Sequence, residues 1–233
     1  MNSEGRDLPL IACAHELKTP LILMRQLTLE LESNPGVERR NEIYHQMQVT
    51  TERSIRMADN LTKIIHLEDA MFEFEPIQVV ELCYEVVEEL KPLIDNTEQG
   101  VVIKSTRKSP ICVGNRDLLR SLLIGLLDNA LQYTAEDQKI YITTCIKNNK
   151  IELAVRDDGP IIDLANFKKL KNNLGRKKQP IVARPLTSSL GITIAEKFAD
   201  TMNGRLSVSR HHSGGMTFRA LLPVSHQMSM LEL

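Results

Sequence analysis

A short segment near the beginning of the chain, residues 14–21, brings together side chains that could accept a transferable group. If the segment is helical, His15 and Thr19 lie one turn apart on the same face, and Glu16 lies beside the imidazole. Near neutral pH much of an imidazole is a free nitrogen nucleophile, and a neighbouring carboxylate can take the proton released when it attacks. Pro20 lacks an N–H, so the helix can bend there. The segment predicts an acceptor site, with an ordinary surface histidine as the alternative.

Three segments in the second half of the chain suit the parts of a nucleotide. Asn129, on an apolar helix, offers an amide oxygen of the kind that binds Mg²⁺ together with waters and phosphates. Asp157 follows a strand and precedes a Gly159-Pro160 turn, so its carboxylate can accept a hydrogen bond from an exocyclic amine such as that of adenine. Residues 188–192, Ser-Ser-Leu-Gly-Ile, begin a helix whose free N–H groups can hold a phosphate. Each segment is common by itself, but their order along the chain favours a nucleotide site.

The first part of the chain, which contains residues 14–21, is predicted to be a helical hairpin. Apolar side chains recur at alternating steps of four and three, which predicts two helices separated by the break at residues 34–36, Asn-Pro-Gly. The seams consist of Leu10, Ala14, Leu17, Leu21, Met24 and Leu31, with Thr28 as the polar exception, and of Ile43, Met47, Thr50, Ser54, Met57, Leu61 and Ile64. His15 lies one residue past the first seam, so we expect it to face outward. Two antiparallel helices that each carry one apolar stripe cannot bury both stripes fully against each other. Pairing with a second copy of the chain would bury them, which predicts a homodimer with a four-helix bundle.

From about residue 72 the pattern changes to mixed helices and strands, beginning with an extended segment at 72–76. Long apolar segments predict helices over 79–94, 116–133 and 192–202. Shorter runs predict strands over 101–104, 111–113, 140–146, 151–155, 205–209 and 217–222. The predicted fold class is therefore α+β: a helical hairpin followed by an α/β sandwich with helices on one face of the sheet.

The composition excludes several classes of function. The net charge of −1 gives no general attraction to nucleic acid or to acidic membranes, and aromatic residues make up only 4% of the chain. The four cysteines are far apart and contain no C-x-x-C pair, which predicts reduced, buried thiols. No apolar run approaches the roughly 20 residues that span a bilayer, and the first residues do not form a signal peptide. We therefore expect a cytoplasmic protein with no membrane span and no nucleic-acid partner.

Taken in order, these motifs resemble the catalytic core of the sensor histidine kinases of two-component systems over almost the whole chain. Residues 14–21 resemble the H box of that family, and residues 126–134 resemble its N box. Residues 157–162 and 187–192 resemble the two glycine boxes. The resemblance implies a dimerisation and phosphoacceptor domain over residues 1–71 and an ATP-binding domain of the GHKL (Bergerat) type over residues 72–233.

For the first domain the resemblance implies three catalytic residues. His15 would be the phosphoacceptor, and Glu16 would be its base. Thr19 would orient the water in the reverse, phosphatase reaction on a partner protein. That partner would be the receiver domain of a response regulator, and the input would come from a separate sensor chain or from an N-terminal region missing here.

For the second domain the resemblance implies a site for ATP and Mg²⁺. Asn129 would bind the metal, and Tyr133 would lie near the nucleotide. Asp157 would bind the adenine amino group, while Gly159 would leave room for the base. Gly191 would lie at the helix start on the phosphate side.

The sequence departs from the family pattern at several positions in these boxes. In the N box, Gly125 stands where an asparagine is usual, and Gln132 stands where a basic residue is usual. The first glycine box ends with Ile-Ile at 161–162 instead of Gly-Ile, and Thr187 and Ser189 replace glycines of the second box. Because glycine permits close backbone approach and positive φ, we expect these larger residues to narrow the nucleotide pocket, above all the β-branched residue at 161.

Residues 163–184 lie between the glycine boxes, where the resemblance implies a lid over the nucleotide. We expect a solvated loop, and the alternative is that one or two of its cations replace the missing basic residue at the phosphates. The cations are Lys168, Lys169, Lys171, Arg176, Lys177, Lys178 and Arg184. The resemblance implies that Phe167 would be the remnant of the family's lid aromatic. Further on, residues 211–215, His-His-Ser-Gly-Gly, predict a hairpin turn rather than a metal site.

Three functions from different classes fit these features. The first is an ATP-dependent histidine autokinase with a divergent lid. The second is a degenerate core that binds ATP poorly and acts as a histidine phosphotransferase or phosphatase for a response regulator. The third is a non-catalytic dimeric scaffold. A scaffold does not need the set of residues retained here, which disfavours this function: His15, Glu16, Thr19, Asn129, Asp157 and Gly191.

Overall fold

The computed structural model describes residues 7–67, 72–95, 99–106, 110–135, 137–174 and 189–225, with the side chains of 7–16, 173 and 189–190 outside the description. The chain divides into two compact units, Met1–Asp69 and Ala70–Leu233. None of the helices in the described ranges has the length and apolar character needed to cross a membrane.

The first unit is a helical hairpin of α1 (Asp7–Glu32) and α2 (Val37–His66). The predicted break is confirmed, since the chain leaves α1 through Asn34, which adopts a φ of 53°. Arg39 of α2 reaches back across the turn to Glu30, with 2.6 Å between its Nε and the carboxylate. The interior of the hairpin contains Leu27 and Ile43, which are 3% and 0% exposed.

The seam predicted for α1 is partly wrong. Leu17, Met24 and Leu31 are half-buried as expected, but Leu27, which is not in the predicted seam, is buried, whereas Thr28 is exposed. The predicted seam and the observed one both contain positions 17, 24 and 31. From position 24 the predicted seam steps by four residues to Thr28, whereas the observed one steps by three residues to Leu27. The register that the hairpin adopts buries a leucine in place of a threonine, which removes more apolar surface from water.

The second unit contains seven strands and four helices within its described residues. The strands are β1 (Glu75–Gln78), β2 (Gly100–Ser105), β3 (Ile111–Gly114), β4 (Lys139–Lys147), β5 (Lys150–Arg156), β6 (Arg205–Arg210) and β7 (Met216–Pro223). The helices are α3 (Val79–Ile94), α4 (Arg116–Tyr133), α5 (Leu164–Asn173) and α6 (Ser189–Thr201). The main sheet has the order β2-β4-β5-β7-β6, in which β2 is parallel to β4 and the other pairs are antiparallel, while β1 and β3 form a small separate sheet.

Helices α3, α4 and α6 contact the sheet in the order of its strands. Helix α3 contacts β2 and β4, α4 contacts β5, and α6 contacts β6 and β7. The strands alternate as a half-buried sheet requires, with Leu153 and Phe218 among the side chains that are buried. Cys83 and Cys112 also lie in this core, where burial raises the pKa of each thiol to about 12. The predicted α/β sandwich is confirmed.

Helix α4 is fixed at both ends by side chains. At its beginning the Asn115 side chain accepts a hydrogen bond from the Leu118 N–H at 3.0 Å. At its end the buried Gln99 amide donates to the carbonyl of Leu131 at 3.1 Å and also to that of Thr134. Both contacts satisfy backbone groups that a helix terminus would otherwise leave without partners.

The predicted loop between the glycine boxes begins as a helix, α5, and this is a correction. The Asp163 carboxylate caps the helix by accepting from the Asn166 N–H at 2.9 Å, and this contact lowers the pKa of Asp163. No glycine or proline follows before residue 175, so nothing in the sequence interrupts the helix. Residues 175–188 lie outside the described residues.

Candidate nucleotide-binding site

The Asp157 carboxylate is buried and held by the backbone of two segments. Asp157 follows the last residue of β5 and is 1% exposed. Its Oδ1 atom accepts hydrogen bonds from the N–H of Gly159 at 3.0 Å and from the N–H of Met216 at 3.2 Å. Its own N–H donates to the Met216 carbonyl at 3.0 Å. The orientation of this carboxylate is therefore set by the pairing of β5 with β7.

A turn before β7 packs directly against the backbone of the Asp157 loop. Gly214 and Gly215 adopt φ values of 106° and 76°. A Cβ atom on Gly215 would lie 2.0 Å from the carbonyl oxygen of Asp157, and one on Gly214 would lie 2.7 Å from that of Gly159. The predicted hairpin turn is confirmed, but sequence reasoning missed that it contacts this loop. The pair of adjacent glycines was the available signal.

His211 lies at the beginning of the same turn and is half-buried. Its Nε2 atom is 2.7 Å from the hydroxyl oxygen of Thr217. Burial lowers the pKa of His211, and the nearby guanidinium groups of Arg156 and Arg219 lower it further. The carboxylates of Asp157 and Asp158 act in the opposite direction.

Gly125, Asn129 and Tyr133 form one stripe along α4, since they are spaced by four residues. A Cβ atom on Gly125 would lie 3.8 Å from the carbonyl oxygen of Gly191, so this stripe begins beside the first turn of α6. A Cβ atom on Gly191 itself would meet no described atom within 4 Å. The first turn of α6 therefore presents an open face among the described residues, as a phosphate-side helix start requires.

The Asn129 amide fits a ligand that brings both a cation and an oxygen acceptor. Its Nδ2 atom is buried and has no hydrogen-bond acceptor among the described residues. A buried donor without a partner is costly in free energy, and a phosphate oxygen would satisfy it while Oδ1 remained available to Mg²⁺. Helix α4, which carries Asn129, contacts α6, which contains Gly191. It also contacts β5, the strand that Asp157 follows.

The remaining predicted residues fall into two groups. In the first unit, His15 and Glu16 belong to α1 but their side chains lie outside the described residues, while Thr19 is exposed on the same helix. In the second unit, Phe167 is half-buried on α5, and the lysines of that helix, Lys168, Lys169 and Lys171, are exposed. The other lid cations, together with Thr187 and Ser188, lie outside the described residues.

The strain expected at Ile161 is absent. Ile161 is not among the described residues with positive φ, and its side chain is 67% exposed. The β-branched side chain therefore points into solvent from an ordinary backbone conformation. It does not force the Asp157 loop into an unfavourable geometry.

Comparisons with known proteins show which families this chain is similar to. The family model described as histidine kinase-, DNA gyrase B-, and HSP90-like ATPase matches residues 114–226. The match covers most of the second unit. The predicted resemblance to the catalytic core of the sensor histidine kinases is thereby confirmed, and the matched range contains every residue predicted for the nucleotide site.

Relatives of the whole chain are sensor proteins. The sensor protein CutS of Streptomyces coelicolor is 25% identical over 213 residues, which cover 91% of this chain and 51% of CutS. The sensor protein KdpD of Escherichia coli is 25% identical over 228 residues, which cover 94% of this chain and 24% of KdpD. The chain thus spans about half the length of CutS and a smaller part of KdpD.

Solved structures of histidine kinases share the fold. The Acinetobacter baumannii histidine kinase AdeS is 17% identical, with a TM-score of 0.63 over 91% of this chain and 98% of the AdeS chain. The histidine kinase ThkA, in complex with the response regulator protein TrrA, is 20% identical, with a TM-score of 0.64 over 91% of this chain and 60% of that chain. The similarity extends beyond the ATPase domain, since each covers nine-tenths of the chain.

Proposed function

We propose that this chain is a histidine autokinase of a two-component system, which transfers the γ-phosphoryl group of ATP to His15 and then to an aspartate of a response regulator. The observation that carries the proposal is the buried Asp157 carboxylate, held by two backbone N–H groups in an ATPase domain. A fixed, buried acceptor can select adenine because its exocyclic amine donates a hydrogen bond. The same chain would hydrolyse the aspartyl phosphate in the reverse reaction, with Thr19 orienting the water.

The ATPase domain contributes binding and orientation. Asp157 accepts from the adenine amine, Gly159 leaves room for the base, and Tyr133 lies near the nucleotide. Asn129 holds Mg²⁺, and the α6 N–H groups around Gly191 donate to the phosphates. Bound Mg²⁺ supplies positive charge that neutralises the phosphate oxygens.

The helical hairpin supplies the acceptor. The free ring nitrogen of His15 forms a bond with the γ-phosphorus, the bond between that phosphorus and the bridging oxygen breaks, and ADP leaves with the electron pair. The proton on the other ring nitrogen passes to Glu16. The phosphoryl group then moves from His15 to an aspartate of the receiver domain.

The hairpin also supports the proposal of a homodimer. Tyr44, Ile55 and Ile65 are 55%, 56% and 57% exposed and lie about three helical turns apart along α2. Leu21, Ile22 and Leu29 are exposed on α1. An isolated hairpin would leave this apolar surface in water, whereas a four-helix bundle with a second copy would bury it.

The proposed partner is a response regulator, and the proposed location is the cytoplasm, where ATP and such a regulator would be available. The structurally similar ThkA was solved with a response regulator protein. The input would come from a separate sensor chain or from a longer form of this one, in line with the greater length of CutS.

The decisive experiment measures acid-labile label on the protein after incubation with γ-labelled ATP and Mg²⁺. Wild type should become labelled, whereas His15→Ala and Asn129→Ala should not. The control is His66→Ala, which changes an exposed histidine in the last turn of α2 and should remain labelled. Absence of both label and nucleotide binding in wild type would refute the kinase. Label acquired only from a phosphorylated regulator would instead favour the phosphotransferase.

A further inference from the structure

His211 ties together both ends of the turn that contacts the Asp157 loop. Its N–H donates to the Gly215 carbonyl at 3.1 Å, and its carbonyl accepts from the Gly214 N–H at 3.3 Å. Its imidazole reaches past the turn to the hydroxyl of Thr217, which is only 4% exposed. The side chain and the backbone of one residue therefore fix the turn against the first residues of β7.

The contacts of this turn continue to the Asp157 carboxylate. Thr217 pairs directly with Arg156, the last residue of β5 before Asp157. The Met216 N–H, one residue before Thr217, donates to Asp157 Oδ1. The Gly215 N–H also donates to the carbonyl of Pro160, at 3.5 Å. A shift of the turn would therefore move the Met216 N–H, one of the two donors that hold Asp157, and would disturb the Pro160 contact of the same loop.

The charges that face the His211 ring favour its neutral form. On β5, Arg156 lies close and forms an ion pair with Asp158 at 2.9 Å. On β7, Arg219 faces the ring, donates to the Ser209 hydroxyl at 2.6 Å and lies 3.7 Å from Glu152. On the adjoining end of β6, the Arg210 guanidinium donates to the Ile162 carbonyl. Both guanidiniums already have anionic partners, so a proton on His211 would add a third cation near them, and the carboxylates of Asp158 and Asp157 offset this repulsion less than the guanidiniums cause it.

Protonation would also change the hydrogen bond to Thr217. A neutral imidazole can accept the hydroxyl proton at Nε2, whereas an imidazolium can only donate. The Thr217 hydroxyl is buried, so its proton would then have to find another acceptor. Both effects act against the turn in the same direction.

We propose that His211 is a positioning residue that holds Asp157 in its adenine-binding orientation while the imidazole is neutral, and releases it on protonation. Nucleotide affinity therefore falls as the pH falls through the titration of His211. This inference rests on the proposed binding of adenine at Asp157. The acceptor of the phosphoryl group, His15, takes no part in it.

The experiment measures ATP–Mg²⁺ affinity by calorimetry at pH 7.5 and at a pH below the midpoint of the His211 ring titration, which NMR supplies, for the full chain and four variants. Wild type should lose about two- to tenfold more affinity on acidification than His211→Gln, the size of effect expected from one hydrogen bond. His211→Gln should match wild type at pH 7.5, because its amide can still bond to Thr217 but cannot titrate. His211→Ala should bind weakly at both pH values. The control His212→Gln changes the adjacent exposed histidine and should behave as wild type. If His211→Gln does not fold, His211→Asn takes its place as the variant that cannot titrate.

A second measurement needs no nucleotide and so separates failure of this inference from failure of the proposed function. In wild type, the amide resonances of Gly159 and Met216 should shift with the same midpoint as the His211 ring in an NMR titration. In His211→Gln those shifts should vanish. The inference would be overturned if the resonances of these amides did not follow the titration of His211. It would also be overturned if ATP affinity had the same pH dependence in wild type and in His211→Gln. If wild type binds no ATP but the amides follow His211, the proposed function fails and the positioning role stands.

Discussion

Replacing Gly215 by alanine should displace the Asp157 loop and weaken both the second unit and its nucleotide site. The new Cβ atom would lie 2.0 Å from the Asp157 carbonyl oxygen, whereas such atoms in proteins stay at least about 3.0 Å apart. The loop and the turn must therefore separate by about 3.0 − 2.0 = 1.0 Å. Two hydrogen bonds join the Asp157 loop to Met216 beside the turn, from the Met216 N–H to Oδ1 at 3.2 Å and from the Asp157 N–H to the Met216 carbonyl at 3.0 Å, and a separation of that size is enough to break them.

The magnitude follows from two contributions. An alanine at a φ of 76° pays the cost of a left-handed conformation, about 1–2 kcal/mol. Loss of two hydrogen bonds to Asp157 costs about 0.5–1.5 kcal/mol each. The sum is roughly 2–5 kcal/mol, which for a unit of this size corresponds to a fall in Tm of roughly 4–20 °C.

The assay is chemical or thermal unfolding of the full chain, followed by calorimetry with ATP–Mg²⁺. Gly100→Ala is the matched control, because a Cβ atom there would lie 3.5 Å from Lys139 Cγ, an ordinary contact in the same sheet. The control should change stability by less than about 0.5 kcal/mol. If Gly215→Ala were as stable as Gly100→Ala and bound ATP as wild type does, the described contact between turn and loop would be wrong.

Three further predictions follow from other contacts. Asp157→Asn should lower ATP affinity by about 10- to 100-fold, because an amide nitrogen would face the adenine amine. The control Asp158→Asn should have little effect. Equal ATP affinities of these two variants by calorimetry would refute the role of Asp157. Ile55→Glu should convert a dimer to a monomer in analytical ultracentrifugation, while Ile146→Glu, at a similarly exposed site of the second unit, should not. The folded state lowers the pKa of His211, so its contribution to stability is complete above the unfolded-state pKa of about 6.5 and is lost as the pH falls below it. Unfolding free energies of wild type should therefore fall more steeply with acidification than those of His211→Gln.

Most of the fold follows from apolar patterning. Helices α3 and α4 end where their apolar segments end, and the hairpin of β4 and β5 follows from alternation around a polar turn. Helix α5 was missed because its charged sequence has no strong apolar period, so its only signal was the capping residue Asp163. The seam of α1 was misassigned for a different reason. Leu27 and Thr28 both fit a step of three or four, and only packing against α2 selects between them.

The candidate site was predictable in its residue types but not in its supports. Asp157 and Asn129 have side chains whose chemistry suits adenine and Mg²⁺, so their positions in the sequence were informative. Met216 is 59 residues from Asp157, and it contacts that carboxylate only because β5 pairs with β7. No local pattern specifies which strand lies beside β5. The role of the Gly214–Gly215 turn was therefore hidden until the pairing was known.

The position of the left-handed residues also changes how the altered first glycine box should be interpreted. Within the described ranges, the non-glycine residues with positive φ are all asparagine or aspartate, types that tolerate this conformation: Asn34, Asp137, Asn148, Asn149 and Asn203. Ile161 needs no such conformation, so a β-branched residue there costs the backbone nothing. Glycine is needed instead at Gly214 and Gly215, in the turn before β7, because this turn closely approaches the backbone of the Asp157 loop. The loss of a glycine at 161 therefore puts no strain on the backbone of the Asp157 loop, whereas a single methyl group at Gly215 should displace that loop.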